Sequence, residues 1–241
     1  MNNYCLYPSL FDAYTYMQSL EDAAEREAKK RELIDRLNRL PSEKTEAQVR
    51  GTALNEIVDS LIKHTPPANG VTMEETLTAY VAKIDNFTFK FDKNLVFTLV
   101  DEFCDCVPQA FVKATISVPQ GIVTLYGYAD YVRDGDIVDL KTTSSYDVGK
   151  YRDHWQHLVY PYCLTHGGGI ETYDSFTYLV AELYTPKDGS INAKLYPETY
   201  NIPMNEIESR LKEFLTYDFI PFLEDNRHLI TDPKVFSNGK A

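Results

Sequence analysis

GYADYVRDGDIVDLKTT, residues 127–143, decides how the chain is read. Two strand-like runs, GYADYV and DIVDLKTT, flank Asp134-Gly135, a dipeptide that turns two-residue hairpins. A strand that buries one face alternates apolar and polar residues. Here Asp130 interrupts the first run, and Asp139 and Lys141 interrupt the second. Burying such charges is costly unless they are paired or hold a metal. Asp139 and Lys141 are two apart and share a face, with Leu140 on the other. Counting back from the turn, Asp130 comes near Asp139. Two adjacent carboxylates repel unless a proton or a divalent cation intervenes. An oxygen-rich, sulfur-free pair suits Mg²⁺ or Mn²⁺. Such an ion lowers the pKa of a bound water, and a lysine beside it orients that water and stabilises developing charge. These are the components of phosphodiester hydrolysis. A lone D-x-K is a weak signal, since many exposed strands carry one as a surface ion pair; here Ile137 and Val138 embed it in apolar sequence.

Outward from this hairpin, AFVKATISV and IVTLYGYADYV lie on either side of Pro119-Gln120-Gly121, and with DIVDLKTT they read as a three-strand meander. HWQHLVYPYCLTHGGG follows as a helix ended by glycines. On it Gln156 and Tyr160 stand four apart and share a face. FTYLVAELYT and AKLYPETYNIP read as strands. NEIESRLKEFLTYDFIPFLEDN reads as an amphipathic helix kinked at Pro221. Upstream, PSLFDAYTYMQSL, EDAAEREAKKRELIDRLNRL and EAQVRGTALNEIVDSLIKH are helical, the last with Leu54, Ile57, Val58, Leu61 and Ile62 on one face. MEETLTAYVAKI reads as a further helix, FTFKF as a strand, and DKNLVFTLVDEF as a helix capped by Asp92. The order predicts an α/β fold of the α+β kind, a mixed β-sheet flanked by helices. We expect one domain over 1–241, with a helical N-terminal region over 1–66 and a sheet-containing core over 67–241.

The series resembles the motifs of the PD-(D/E)XK nuclease superfamily, in its RecB-like and phage-exonuclease branch. That pattern is G-x-x-D, an apolar run ending in D/E-x-K, then a helix bearing Q-x-x-x-Y. The matching positions are Gly127 and Asp130, Asp139 and Lys141, Gln156 and Tyr160. RGTALNEIVD is similar to the first-motif helix, G-x-x-x-H, and YPSLFDAY to an S-x-x-x-x-Y stretch that opens many relatives. The resemblance covers about Pro8 to Leu164. It implies a restriction-endonuclease-like fold and metal-dependent cleavage of DNA. It implies that Asp130, Asp139 and the Leu140 carbonyl hold Mg²⁺ or Mn²⁺, that Lys141 is catalytic, and that Gln156 and Tyr160 line the site or contact DNA. The helix histidine is replaced by Asn55, so the third ligand is Asn55, Glu56 or Asp59. Several relatives carry an iron–sulfur cluster on one early and three late cysteines; only Cys5 is early here and no late triplet exists, so no cluster is expected.

Composition bounds the function. A net charge of −12 argues against broad electrostatic capture of nucleic acid. The six bases from Arg26 to Arg39 are interleaved with six acids from Glu21 to Asp35, which reads as a self-paired, solvated helix. A recombinase, annealing protein or helicase partner is a candidate source of the missing basic surface. The four cysteines form no CxxC pair, and the N-terminus has no signal-peptide pattern, which suggests a reduced, cytoplasmic protein with no membrane partner. The expected activity is that of a metal-dependent deoxyribonuclease, an exonuclease of recombination or repair from a branch common in phages and mobile elements. The rivals are a PD-(D/E)XK domain that binds or scaffolds without cutting, and an enzyme acting on a smaller phosphodiester.

Overall fold

The computed structural model describes residues 2–168, 173–187 and 189–237. Strand β1 (Asn2–Leu6) leads through Tyr7 into helix α1 (Pro8–Ser19), where Pro8 occupies the first turn, which needs no amide donor. Helix α2 (Ala23–Leu37) starts where the Asp22 carboxylate accepts the Glu25 amide at 2.7 Å. Helix α3 (Glu46–Lys63) starts with a reciprocal capping box between Thr45 and Gln48. Strands β2 (Thr72–Glu75), β3 (Ala79–Ile84) and β4 (Phe87–Asp92) form a small antiparallel sheet, and Asp92 caps α4 (Lys93–Phe103). The long pair β5 (Val107–Val118) and β6 (Gly121–Arg133) precedes β7 (Asp136–Thr143), α5 (Gln156–His166), β8 (Ser175–Tyr184) and β9 (Asn192–Tyr200). Helix α6 (Met204–Phe214) widens into a π turn over Leu215–Phe219 before α7 (Ile220–Asp225), so the irregularity expected at Pro221 falls just ahead of it.

The central sheet runs β1-β6-β7-β8-β9, with β5 also on β6. Pairs β1–β6 and β7–β8 are parallel, and the other pairs antiparallel, so the sheet is mixed, as expected. Each face has its own core. On one, Phe11, Leu158, Val159, Phe176, Phe214 and Phe219 pack among α1, α5, α6 and α7. On the other, Leu54, Ile57, Val58, Phe91, Leu99 and Phe103 pack α3, α4 and the small sheet against Tyr131, Val138 and Leu140.

Two expectations are corrected. MEETLTAYVAKI is not a helix but β2, a turn and β3. The Thr76 hydroxyl closes the turn by bonding the Ala79 carbonyl at 2.8 Å and accepting its amide at 3.1 Å. Beyond it Tyr80, Ala82 and Ile84 alternate inward, which defeats the helical propensity of Met-Glu-Glu. The N-terminal region is also not wholly helical, because β1 joins the central sheet beside β6.

Candidate active site

The sheet has a wedge-shaped opening. Strand β6 is paired with β1 through 121–125 and with β7 through 131–133. Between these, residues 126–130 leave one edge without a strand, because the chain turns from β1 into α1 at Tyr7. Beyond Val138, β7 pairs only with β8. The β5–β6 ribbon also changes faces here: Ala129 belongs to one core and Tyr131, two residues on, to the other. Opposite Asp130 stands Gln109, in the left-handed region at φ 54° and missing from the ladder between Pro108↔Tyr131 and Ala110↔Ala129. The hairpin that brings β7 back uses Asp134 (φ 42°) and Gly135 (φ 91°), the positive pair that such a turn requires.

Asp130 points into the opening. One carboxylate oxygen accepts the Leu140 amide at 3.1 Å, replacing the strand partner that the opening removed, and the other faces Gln109 Nε2 at 3.4 Å. Burial, and then the charge of Asp139, push the Asp130 carboxyl up to about 8, against the opposing pull of Lys141. Asp139 is 1% exposed. Its Oδ1 accepts from Gln156 Nε2 at 2.8 Å and its Oδ2 lies 2.6 Å from Lys141 Nζ. The latter contact is a close ion pair that holds the second carboxylate oxygen against the amine. Lys141 also donates to Gln156 Oε1 at 2.6 Å, so the Gln156 amide clips acid and base together. Burial would depress the Lys141 amine, but Asp139 and Asp130 outweigh it and hold it above the usual lysine range. The amine lies 5.6 Å from the Tyr178 ring centre.

Tyr160 is buried, and its hydroxyl lies 3.4 Å from Gln156 Nε2. Its ring leaves no room at Gly127: a Cβ there would stand 2.7 Å from Tyr160 Cε1. The six motif positions thus converge, from β6, β7 and α5, on one opening.

Of the three α3 candidates, Glu56 is engaged elsewhere, accepting the Ala68 amide at 2.8 Å and the Asn69 side chain. Asp59 is buried, takes the Tyr131 hydroxyl at 2.9 Å and pairs with Lys63 at 3.3 Å; burial lifts its carboxyl above the usual range. Asn55 lies between two fixed points on its helix face. Gly51, one turn before, packs against Thr142 of β7, and Asp59, one turn after, reaches Tyr131 of β6. Among the described residues, Asn55 Oδ1 is buried with no hydrogen-bond partner. Among them, too, no three His, Cys, Asp or Glu side chains cluster to hold a metal. The oxygen groups of the expected ligand set are two carboxylates that lie close together, the Leu140 carbonyl and the unpartnered Asn55 amide oxygen. That hard, all-oxygen set fits Mg²⁺ or Mn²⁺.

Sequence reasoning missed Asp12 and His154. Asp12 on α1 accepts the Trp155 amide at 2.7 Å, tying down the start of the helix that carries Gln156, and faces His154 Nδ1 at 3.6 Å. Burial raises the Asp12 carboxyl and lowers the His154 imidazole. The pair spans more than 140 positions, and its sequence signal is only a carboxylate beside Phe11 on an apolar helix face. The basic helix α2 is partly self-paired, with Lys29–Glu32 at 2.8 Å and Arg31–Glu27 at 3.7 Å, while Arg39 pairs instead with Asp232 at 2.6 Å. No helix among the described residues is long and apolar enough to cross a membrane.

A family model described as the PD-(D/E)XK nuclease superfamily matches residues 17–221. Among solved structures, the crystal structure of SSO0001 is 13% identical, covering 98% of this chain and 87% of that one, with a TM-score of 0.42. No curated protein matches the chain.

Proposed function

From the chain's membership of the PD-(D/E)XK nuclease superfamily, we propose that it is a metal-dependent deoxyribonuclease, an exonuclease of recombination or repair. The observation that supports this reading best is the convergence of Asp130, Asp139, Lys141 and Gln156 on the opening beside β6. Asp130, Asp139 and the Leu140 carbonyl would hold Mg²⁺ or Mn²⁺, with Asn55 Oδ1 as a further ligand. When bound, the ion acidifies a water and neutralises phosphate charge. Lys141, held protonated by its carboxylates, orients the attacking water and counters the charge that grows on the phosphate oxygens. Gln156 fixes both Asp139 and Lys141, so that neither reorganises as charge develops. Tyr160 closes the apolar side of the site. The enzyme works in the cytoplasm, where its free cysteines stay reduced, and a recombinase, annealing protein or helicase supplies the basic surface it lacks.

Lys141→Ala tests the assignment. Labelled DNA is incubated with Mg²⁺ or Mn²⁺ and wild-type or variant protein, with thermal unfolding as the control for folding. Cleavage by the variant should fall by about 10²-fold or more, the scale of losing one preorganised charge. Near-normal cleavage by a folded variant would remove this opening as the active site.

A further inference from the structure

Beside the opening, two large rings face solvent. Phe111 is 56% exposed and Tyr128 57% exposed. They are cross-strand partners on β5 and β6, with ring centres 5.3 Å apart. Tyr128 also borders a cavity of about 390 Å³ that is lined in addition by Tyr7, Tyr126, Gln156 and Tyr160 and so opens onto the candidate active site. Along β6, Tyr128 stands two residues from Asp130, about 7 Å by strand rise. Adjacent exposed aromatic rings are unfavourable in water unless something covers them. Lys113 stands two residues from Phe111 and across from Tyr126, so a cation beside the rings can meet a phosphate while the rings themselves offer faces to bases. The chain carries −12, and the one cation among the described residues lining the cavity, Arg39, is already held by Asp232 at 2.6 Å and by the Tyr126 hydroxyl at 3.1 Å. Aromatic faces recognise bases by stacking, a term that tolerates any sequence and does not depend on net charge. A duplex hides base faces and a single strand offers them. Resting on the nuclease reading above, we propose that Phe111, Tyr128 and the cavity beside them form a stacking subsite for the unpaired bases next to the scissile phosphate. The substrate is then DNA whose strand is single or frayed at the site of attack.

Binding is measured by fluorescence anisotropy in Mg²⁺, in a Lys141→Ala background that keeps the probes intact. Three probes carry the test: a single-stranded oligonucleotide, the same backbone made abasic, and a blunt duplex of the same sequence. The single strand with bases should bind about tenfold or more tightly than either of the others, as expected for one or more stacked bases. Phe111→Ala with Tyr128→Ala should erase that ratio, and Tyr128→Trp should keep it; both positions are exposed, and thermal unfolding checks each variant. Equal binding of the base-bearing and abasic strands, tightest binding of the duplex, or a ratio that survives the double substitution would each overturn the proposal. The abasic comparison needs no change at the pair, so it decides even if the double variant misfolds. Cleavage by protein with Lys141 intact is scored separately. No cleavage with the base preference intact would sink the nuclease reading alone, and cleavage without the preference would sink the stacking subsite alone.

Discussion

Asp130→Asn should stabilise the protein in the absence of divalent metal, and the gain should grow with pH. In the native protein the Asp130 carboxyl is displaced from about 3.8 to about 8 by burial and by Asp139. Between these values the native state binds a proton that the unfolded chain has released. Stability from this group is therefore greatest in acid and declines as pH rises through that window, by about 1.4 kcal/mol per unit. The destabilisation is small at pH 5, larger at pH 7 and levels off above pH 8, once the native carboxyl also ionises. A gain of about 2–4 kcal/mol at pH 7 is expected. Asparagine matches the shape, can still accept the Leu140 amide through its oxygen, and carries no charge to repel Asp139. Denaturant unfolding of both proteins with EDTA at pH 5, 7 and 9 reads the difference. Subtraction removes most of the contribution of the other raised carboxyls, Asp12 and Asp59, of which Asp59 also acts on Asp130. Adding Mg²⁺ or Mn²⁺ should reverse the order, because the ion stabilises wild type by displacing the proton and finds a poorer site in the variant. Parallel pH profiles for the two proteins, or equal metal-induced shifts, would show that Asp130 and Asp139 do not share a repulsive, metal-binding site.

Asn55→His should change which metals stabilise the protein, adding Zn²⁺ or Ni²⁺ to Mg²⁺ and Mn²⁺ in thermal-shift measurements, since imidazole suits softer ions. An unchanged metal ranking would assign Asn55 a purely structural part. Gly127→Ala should cost about 1–3 kcal/mol in denaturant unfolding, the scale of overpacking, with part recovered in a Tyr160→Leu background. A neutral Gly127→Ala would mean that the Tyr160 ring moves aside freely.

The candidate site was legible because charges inside an apolar run break a rule with a large energetic penalty. Asp130, Asp139 and Lys141 stood out on that ground, and the hairpin turn between them set their register within a few residues. The spacing of Gln156 and Tyr160 put them on one helix face, and the family resemblance turned that face toward the site. What stayed hidden depends on distant contacts. Strand β1 has only five residues, and its place beside β6 is a parallel pairing more than 110 positions away. Thr72–Ile84 carries helix-forming residues at its start, and only packing against β4 makes its alternation decisive. Gln109 looks like any strand residue, yet its left-handed backbone stands where the ribbon changes faces. Asp12 and His154 meet only because α1 folds over the start of α5.

The close fit of Gly127 under the Tyr160 ring limits how this sequence can drift. Any larger residue at 127 needs a smaller one at 160 first. A smaller residue at 160 takes away the hydroxyl beside Gln156 and part of the wall behind it. Each single step is thus worse than either end point, and the two codons behave as one character. If the proposed cleavage is what holds Tyr160 in place, a descendant without it would be freed from that coupling. Loss of the glycine and the tyrosine together, with the fold kept, is therefore the trace that a lapse of activity would leave in this lineage.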